Sequence, residues 1–74
     1  MNNLRNQELL TRFGNRLKSL RQLKGLTLQA LAIEADIEIS QAHRIEKGKI
    51  NPTLTTITAL SKGLDISLVE LLDY

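Results

Sequence analysis

The sequence has no cysteine, one proline, and only Phe13 and Tyr74 as aromatic residues. Without cysteine there is neither a disulfide framework nor a thiolate metal site, which fits a reducing cytoplasm. With two aromatics there is no stacking platform of the kind that holds single-stranded nucleic acid. Duplex DNA, held through phosphates and base edges, is left open. No apolar run approaches the roughly 18–20 residues that span a bilayer, so no membrane partner is expected. The start, MNNLRNQELL, lacks the basic-then-apolar layout of a secretion signal. There is no nucleophile–base pair, no glycine-rich phosphate loop and no acid cluster, and the chain is not expected to be an enzyme. His43, alone and without clustered carboxylates, makes no metal site. No cofactor and no small-molecule ligand is expected.

What is present is charge, unevenly placed, and strong helical periodicity. The 74 residues make one domain with a modest core. The net charge is +2, but residues 1–50 hold nine Lys and Arg against five Asp and Glu. Residues 51–74 hold Lys62 against Asp65, Glu70 and Asp73. The basic part can face a polyanion and the rest a protein; simple solvation explains the same charges.

Phe13, Leu17, Leu20 and Leu23 recur at three- and four-residue spacing and predict a helix over about 6–24, ended by Gly25. Thr27 is a good N-cap for a short helix over 28–35, with Leu28, Leu31, Ala32 and Ala35 on its apolar face. A break near Asp36 leads to a third helix over 39–47, closed by Gly48. Its apolar stripe is Ala42 and Ile45, with Ile39 at the edge, and Asn51-Pro52 marks a loop. A fourth helix spans about 54–63 with Leu54, Ile57 and Leu60 inward. Ser67-Leu-Val-Glu70 has the form of a capping box and opens a fifth, short helix ending near Leu72. No stretch alternates with period two, so no strands are predicted. Two short helices over 28–47, joined by about three residues, with Ala32 and Ala35 small at the approach, have the layout of a helix-turn-helix.

From Phe13 to Leu72 the chain resembles the phage-repressor and Cro-type (XRE-type) helix-turn-helix family. The resemblance is carried by FGNRLKSLRQLKGLT, LQALAIEADI, RIEKGKINPTL and LSKGLDISLVELL, in that order. It implies an all-α fold, a five-helix repressor-like DNA-binding domain filling residues 1–74. In it 1–12 is an N-terminal extension or the start of the first helix, 28–47 the helix-turn-helix, and 67–74 a C-terminal helix. It implies a sequence-specific transcriptional regulator of double-stranded DNA, working as a cytoplasmic, nucleoid-associated homodimer on two half-sites about one helical turn apart. By position, the base-facing residues are Ile39, Ser40, Gln41 and Arg44. Arg44 suits guanine and Gln41 adenine, while Ile39 either packs on a thymine methyl or edges the core. Phosphate contacts fall on Thr27, Gln29, His43, Lys47, Lys49 and Asn51. Arg21 and Glu46 are expected to pair, and Leu68, Val69, Leu71, Leu72 and Tyr74 to form the dimer interface as well as closing the small core. Prophage repressors, restriction–modification controllers and antitoxins all belong to this family.

The chain departs from the family pattern in places. Asp36 and Asp65 stand where glycine is common, at positions that favour a left-handed backbone. Leu28 replaces a usual phosphate-binding Gln, Ala42 replaces a larger aliphatic, and Glu38 stands where Ser or Thr usually caps the third helix. Glu38, Ile39 and Leu28 on one face motivate a rival reading, a protein-interaction module of antitoxin type that keeps the fold with little or no DNA binding.

Overall fold

The computed structural model describes residues 3–74; residues 1 and 2 of the expected extension lie outside the described residues. Five helices follow in order: α1 (Asn3–Leu23), α2 (Leu28–Ala35), α3 (Ile39–Glu46), α4 (Leu54–Gly63) and α5 (Leu68–Leu71). No strand occurs among the described residues. α1 begins about a turn earlier than its apolar periodicity predicts. Residues 3–12 contain no glycine or proline and are rich in Leu, Arg, Gln and Glu, which carry the helix outward with little cost.

α2, α4 and α5 start alike. Thr27, Thr53 and Ser67 sit in extended conformation, and each side-chain oxygen accepts the N–H three residues on, from Ala30, Thr56 and Glu70. α3 is the exception: Glu38 holds its N-cap position and makes no side-chain hydrogen bond to the helix. The first four helices stop alike. After α1, α2, α3 and α4 one residue turns left-handed: Gly25, Asp36, Gly48 and Asp65, with φ of 72°, 56°, 70° and 56°. At each stop the next residue's N–H reaches back five residues, as Leu26 does to Arg21 O (3.1 Å) and Ile37 to Ala32 O (3.0 Å). This pairing satisfies carbonyls that the helix end leaves open. Asp fills two of the four positions because its short polar side chain tolerates this backbone better than most.

The core is built from Phe13, Leu17 and Leu20 of α1, Leu31 and Ala35 of α2, Ile45 of α3, Leu60 of α4, then Leu64 and Leu71. Two expectations need correction, one open alternative narrows, and one holds only in part. Leu23 is 82% exposed, because α1 ends there and leaves it past the last core turn. Leu54 is 70% exposed, as the first residue of α4, while Leu60 is buried and Ile57 packs against the core as expected, joined by Ser61 and, just past the helix, Leu64. Ile39 is 47% exposed and stays out of the core stripe of Ala42 and Ile45. Leu71 is wholly buried within the monomer, so it closes the core and is not available to a second copy.

Two glycines set the helix spacing. A Cβ on Gly14 would lie 2.5 Å from the Glu46 carbonyl oxygen and 2.6 Å from that of Ile45. α1 therefore touches the backbone at the end of α3 directly. A Cβ on Gly63 would lie 3.2 Å from the Ala35 nitrogen, where α4 meets the end of α2. α5 is tied back to α1 by Arg16, whose Nη2 donates to the Glu70 carbonyl at 2.7 Å.

Candidate nucleic-acid interface

α3 is a short helix with two different sides. Ala42, Ile45 and Glu46 are buried, while Ile39, Ser40, His43 and Arg44 are exposed and Gln41 is half-buried. Ser40, Gln41 and Arg44 thus share one accessible surface, with Ile39 at its N-terminal edge. Past the helix, Lys47, Lys49 and Asn51 are exposed on the turn, and Thr27 and Gln29 are exposed at the start of α2. The Thr27 hydroxyl oxygen already accepts the Ala30 N–H at 3.0 Å, so only its hydrogen is left to offer a phosphate.

The inner side of α3 is locked to α1. Arg21 Nε donates to Glu46 Oε2 at 2.6 Å and Nη2 to Oε1 at 3.1 Å, a two-pronged contact. Arg21 Nη1 also donates to the Leu26 carbonyl at 2.8 Å, joining the turn before α2 to the same group. The side chains are 12% and 6% exposed, so water screens the pair little. Hydrogen bonding to Glu46 pushes the Arg21 pKa above its ordinary value, against the opposing effect of burial. With its charge fixed and both carboxylate oxygens engaged, the pair sets the angle of α3 against α1.

An open cleft of about 310 Å³ runs beside this pair, walled by Asn15, Lys18, Leu28, His43 and Lys47. Asn15 and Lys18 were not among the expected contacts. Their signal is present in the sequence, since Thr11, Asn15 and Lys18 recur at helical spacing on the polar side of α1. Leu28 is half-buried on the cleft wall, where it offers no hydrogen bond. Among the described residues no group of three or more His, Asp or Glu is placed to hold a metal ion.

Past the end of α5, Tyr74 packs edge-on against Phe13 with centroids 6.2 Å apart, and the Arg12 guanidinium lies 5.6 Å over its ring. Leu9, Leu72 and Tyr74, with Asn51 and Pro52 of the loop after α3, line a small apolar cleft of about 90 Å³. Val69 is 80% exposed on α5, and Leu68 is half-buried. Leu9 is an addition to the apolar set expected there.

A family profile described as helix-turn-helix domain matches residues 12–73, most of the chain, including α2, α3 and the turn after it. The chain belongs to the helix-turn-helix domain family. Among curated relatives, this helix-turn-helix protein is similar to the control protein C.MunI of a Mycoplasma species, with 38% identity over 65 residues, covering 86% of this chain and 88% of that one. It is also similar to the HTH-type transcriptional regulator DdrOP3 of Deinococcus deserti, with 36% identity over 58 residues, which spans 78% of this chain but 45% of that longer protein. Among solved structures, the restriction-modification controller protein C.AhdI from Aeromonas hydrophila superposes with a TM-score of 0.82 at 39% identity, covering 84% of this helix-turn-helix chain and 94% of that one.

Proposed function

We propose that this chain is a sequence-specific duplex-DNA-binding transcriptional regulator that acts as a homodimer, with α3 in the major groove. One observation carries the reading: α3 presents Ser40, Arg44 and the edge of Gln41 outward while Arg21–Glu46 and the Gly14 approach fix its other side. Arg44 pairs with guanine and Gln41 with adenine, and Ser40 adds a short-range contact. The exposed side of Ile39 packs on a thymine methyl. Lys47, Lys49 and Asn51 hold phosphates on one strand; Thr27, Gln29 and His43 hold them on the other flank. Val69, Leu72 and Tyr74, together with Leu68 and Leu9, supply an apolar surface for a second copy. The likeness to two control proteins at both nearly full lengths favours a restriction–modification controller over a prophage repressor or an antitoxin. Such a regulator works in the bacterial cytoplasm, on the DNA itself.

Selection of bound sites from a random duplex library tests the reading. An enriched motif with two-fold symmetry is expected. On that motif Arg44→Ala loses about 1–3 kcal/mol of specific binding. Lys49→Ala weakens all sequences and flattens the salt dependence by about one unit. No enriched motif would transfer the case to the protein-interaction module, with Glu38, Ile39 and Leu28 as its contact face.

A further inference from the structure

The turn after α3 carries Lys47 and Lys49 on either side of Gly48. α3 holds this turn through its N–H groups: Gly48 N donates to Ile45 O at 3.0 Å and Lys49 N to Arg44 O at 2.9 Å. The Gly48 carbonyl points the other way and is met from α1. Gln7 Nε2 donates to it at 3.0 Å, across 41 residues of sequence, and donates also to Thr11 Oγ1 at 3.1 Å. Gly48 is buried against the same stretch of helix, since a Cβ there would lie 3.0 Å from the Thr11 Cα. Gln7 and Thr11 both lie before residue 12, where the family profile begins. The first turns of α1 form a wall against the loop between the two lysines.

We infer that Gln7 is a positioning residue for DNA binding: its amide fixes the Gly48 carbonyl, and so holds Lys47 and Lys49 ready for the phosphate backbone. The inference rests on the DNA reading above. A turn held on both sides keeps its backbone ordered before DNA arrives, so the ordering cost is not charged against binding. Gln7 is uncharged and its amide N–H groups are engaged with Gly48 and Thr11, so it adds no cation to the phosphate backbone. Its removal therefore changes affinity without changing how many cations meet the DNA.

Gln7→Met keeps the length and removes the donor; Gln7→Ala removes both. Binding of the full chain to a fluorescent mixed-sequence duplex, and to the selected motif, is measured over a range of salt. Loss of one net hydrogen bond predicts a Kd about fivefold higher per protomer, by the same factor on both duplexes. The salt slope stays at the parent value, and backbone order parameters fall at Lys47–Lys49 only. A merely structural role lowers the melting temperature and leaves Kd unchanged well below it. A Kd within about twofold of the parent, or a loss confined to one sequence, overturns the inference. If the parent itself binds neither duplex, the DNA reading falls first; if the parent binds and Gln7→Met matches it, only the positioning role falls.

Discussion

Removing Arg21 should cost this domain a large share of its stability, and removing its partner as well should restore most of it. A 74-residue domain is worth about 4–11 kcal/mol in total, by the usual range per residue. Arg21→Met keeps the aliphatic stem but leaves the Glu46 carboxylate, 6% exposed, with no cation. Breaking a buried pair from one side costs about 3–5 kcal/mol. At 4–8 °C per kcal/mol for a chain of this size, the melting temperature falls by at least roughly 12 °C. Glu46→Leu should cost less, about 1.5–3 kcal/mol, because Arg21 keeps its bond to the Leu26 carbonyl at 2.8 Å. The double variant places two apolar side chains in the same space and should return to near the parent. Urea unfolding followed by circular dichroism gives all four corners of the cycle. The expected coupling is about 4.5–8 kcal/mol, the sum of the two single losses, and it should change little between low and high salt, since a buried pair is poorly screened. A coupling below about 0.5 kcal/mol would make the contact an ordinary surface pair, and the idea that it orients α3 would be refuted.

Gly14→Ala is expected to destabilise by about 1–3 kcal/mol, although Ala is the better helix former, because its Cβ would press within 2.6 Å of two α3 carbonyl oxygens; a raised melting temperature would contradict the close approach. Asp36→Gly should gain up to about 1 kcal/mol by relieving the left-handed backbone at φ 56°, and Asp36→Val should lose at least that much. Equal thermal melts for the two variants would show that the turn does not need that backbone. Val69→Asp should yield a folded monomer by sedimentation velocity, since Val69 is 80% exposed and outside the core; a persistent dimer would move the interface away from α5.

The helices were legible in the sequence because their ends are written locally. Thr27, Thr53 and Ser67 are caps of the right type at the right distance, and Gly25 and Gly48 mark stops. Asp36 and Asp65 were legible only through resemblance, since nothing local separates a left-handed Asp from an ordinary one. What failed was facing. Leu23 and Leu54 fit their helices' apolar spacing but sit at helix ends, where no neighbouring element covers them. Leu71 was expected both to close the core and to meet a second copy; it is the one residue of α5 wholly buried, so only the first part holds within the monomer. Gly14 was silent because a glycine inside a helix has no pattern of its own; only the arrival of α3 explains it. Gln7 was silent for a related reason, as its partner is a backbone carbonyl 41 residues away.

The missing cap on α3 divides that helix into a heel and a toe. Its last turn is pinned by Ile45, by Glu46 and by the backbone contact at Gly14. Its first turn, from Ile39, has no side chain over its open N–H groups. Amide hydrogens near Glu46 should therefore exchange only when the whole domain opens, while those of Ile39 and Ser40 exchange through local fraying. The fraying end is the one proposed to touch base edges, so on that reading a fitting site would also order a turn that the fold leaves uncapped. Recognition would then be partly the completion of a helix: exchange at Ile39 and Ser40 should slow on a matching site and stay fast on a mismatched one.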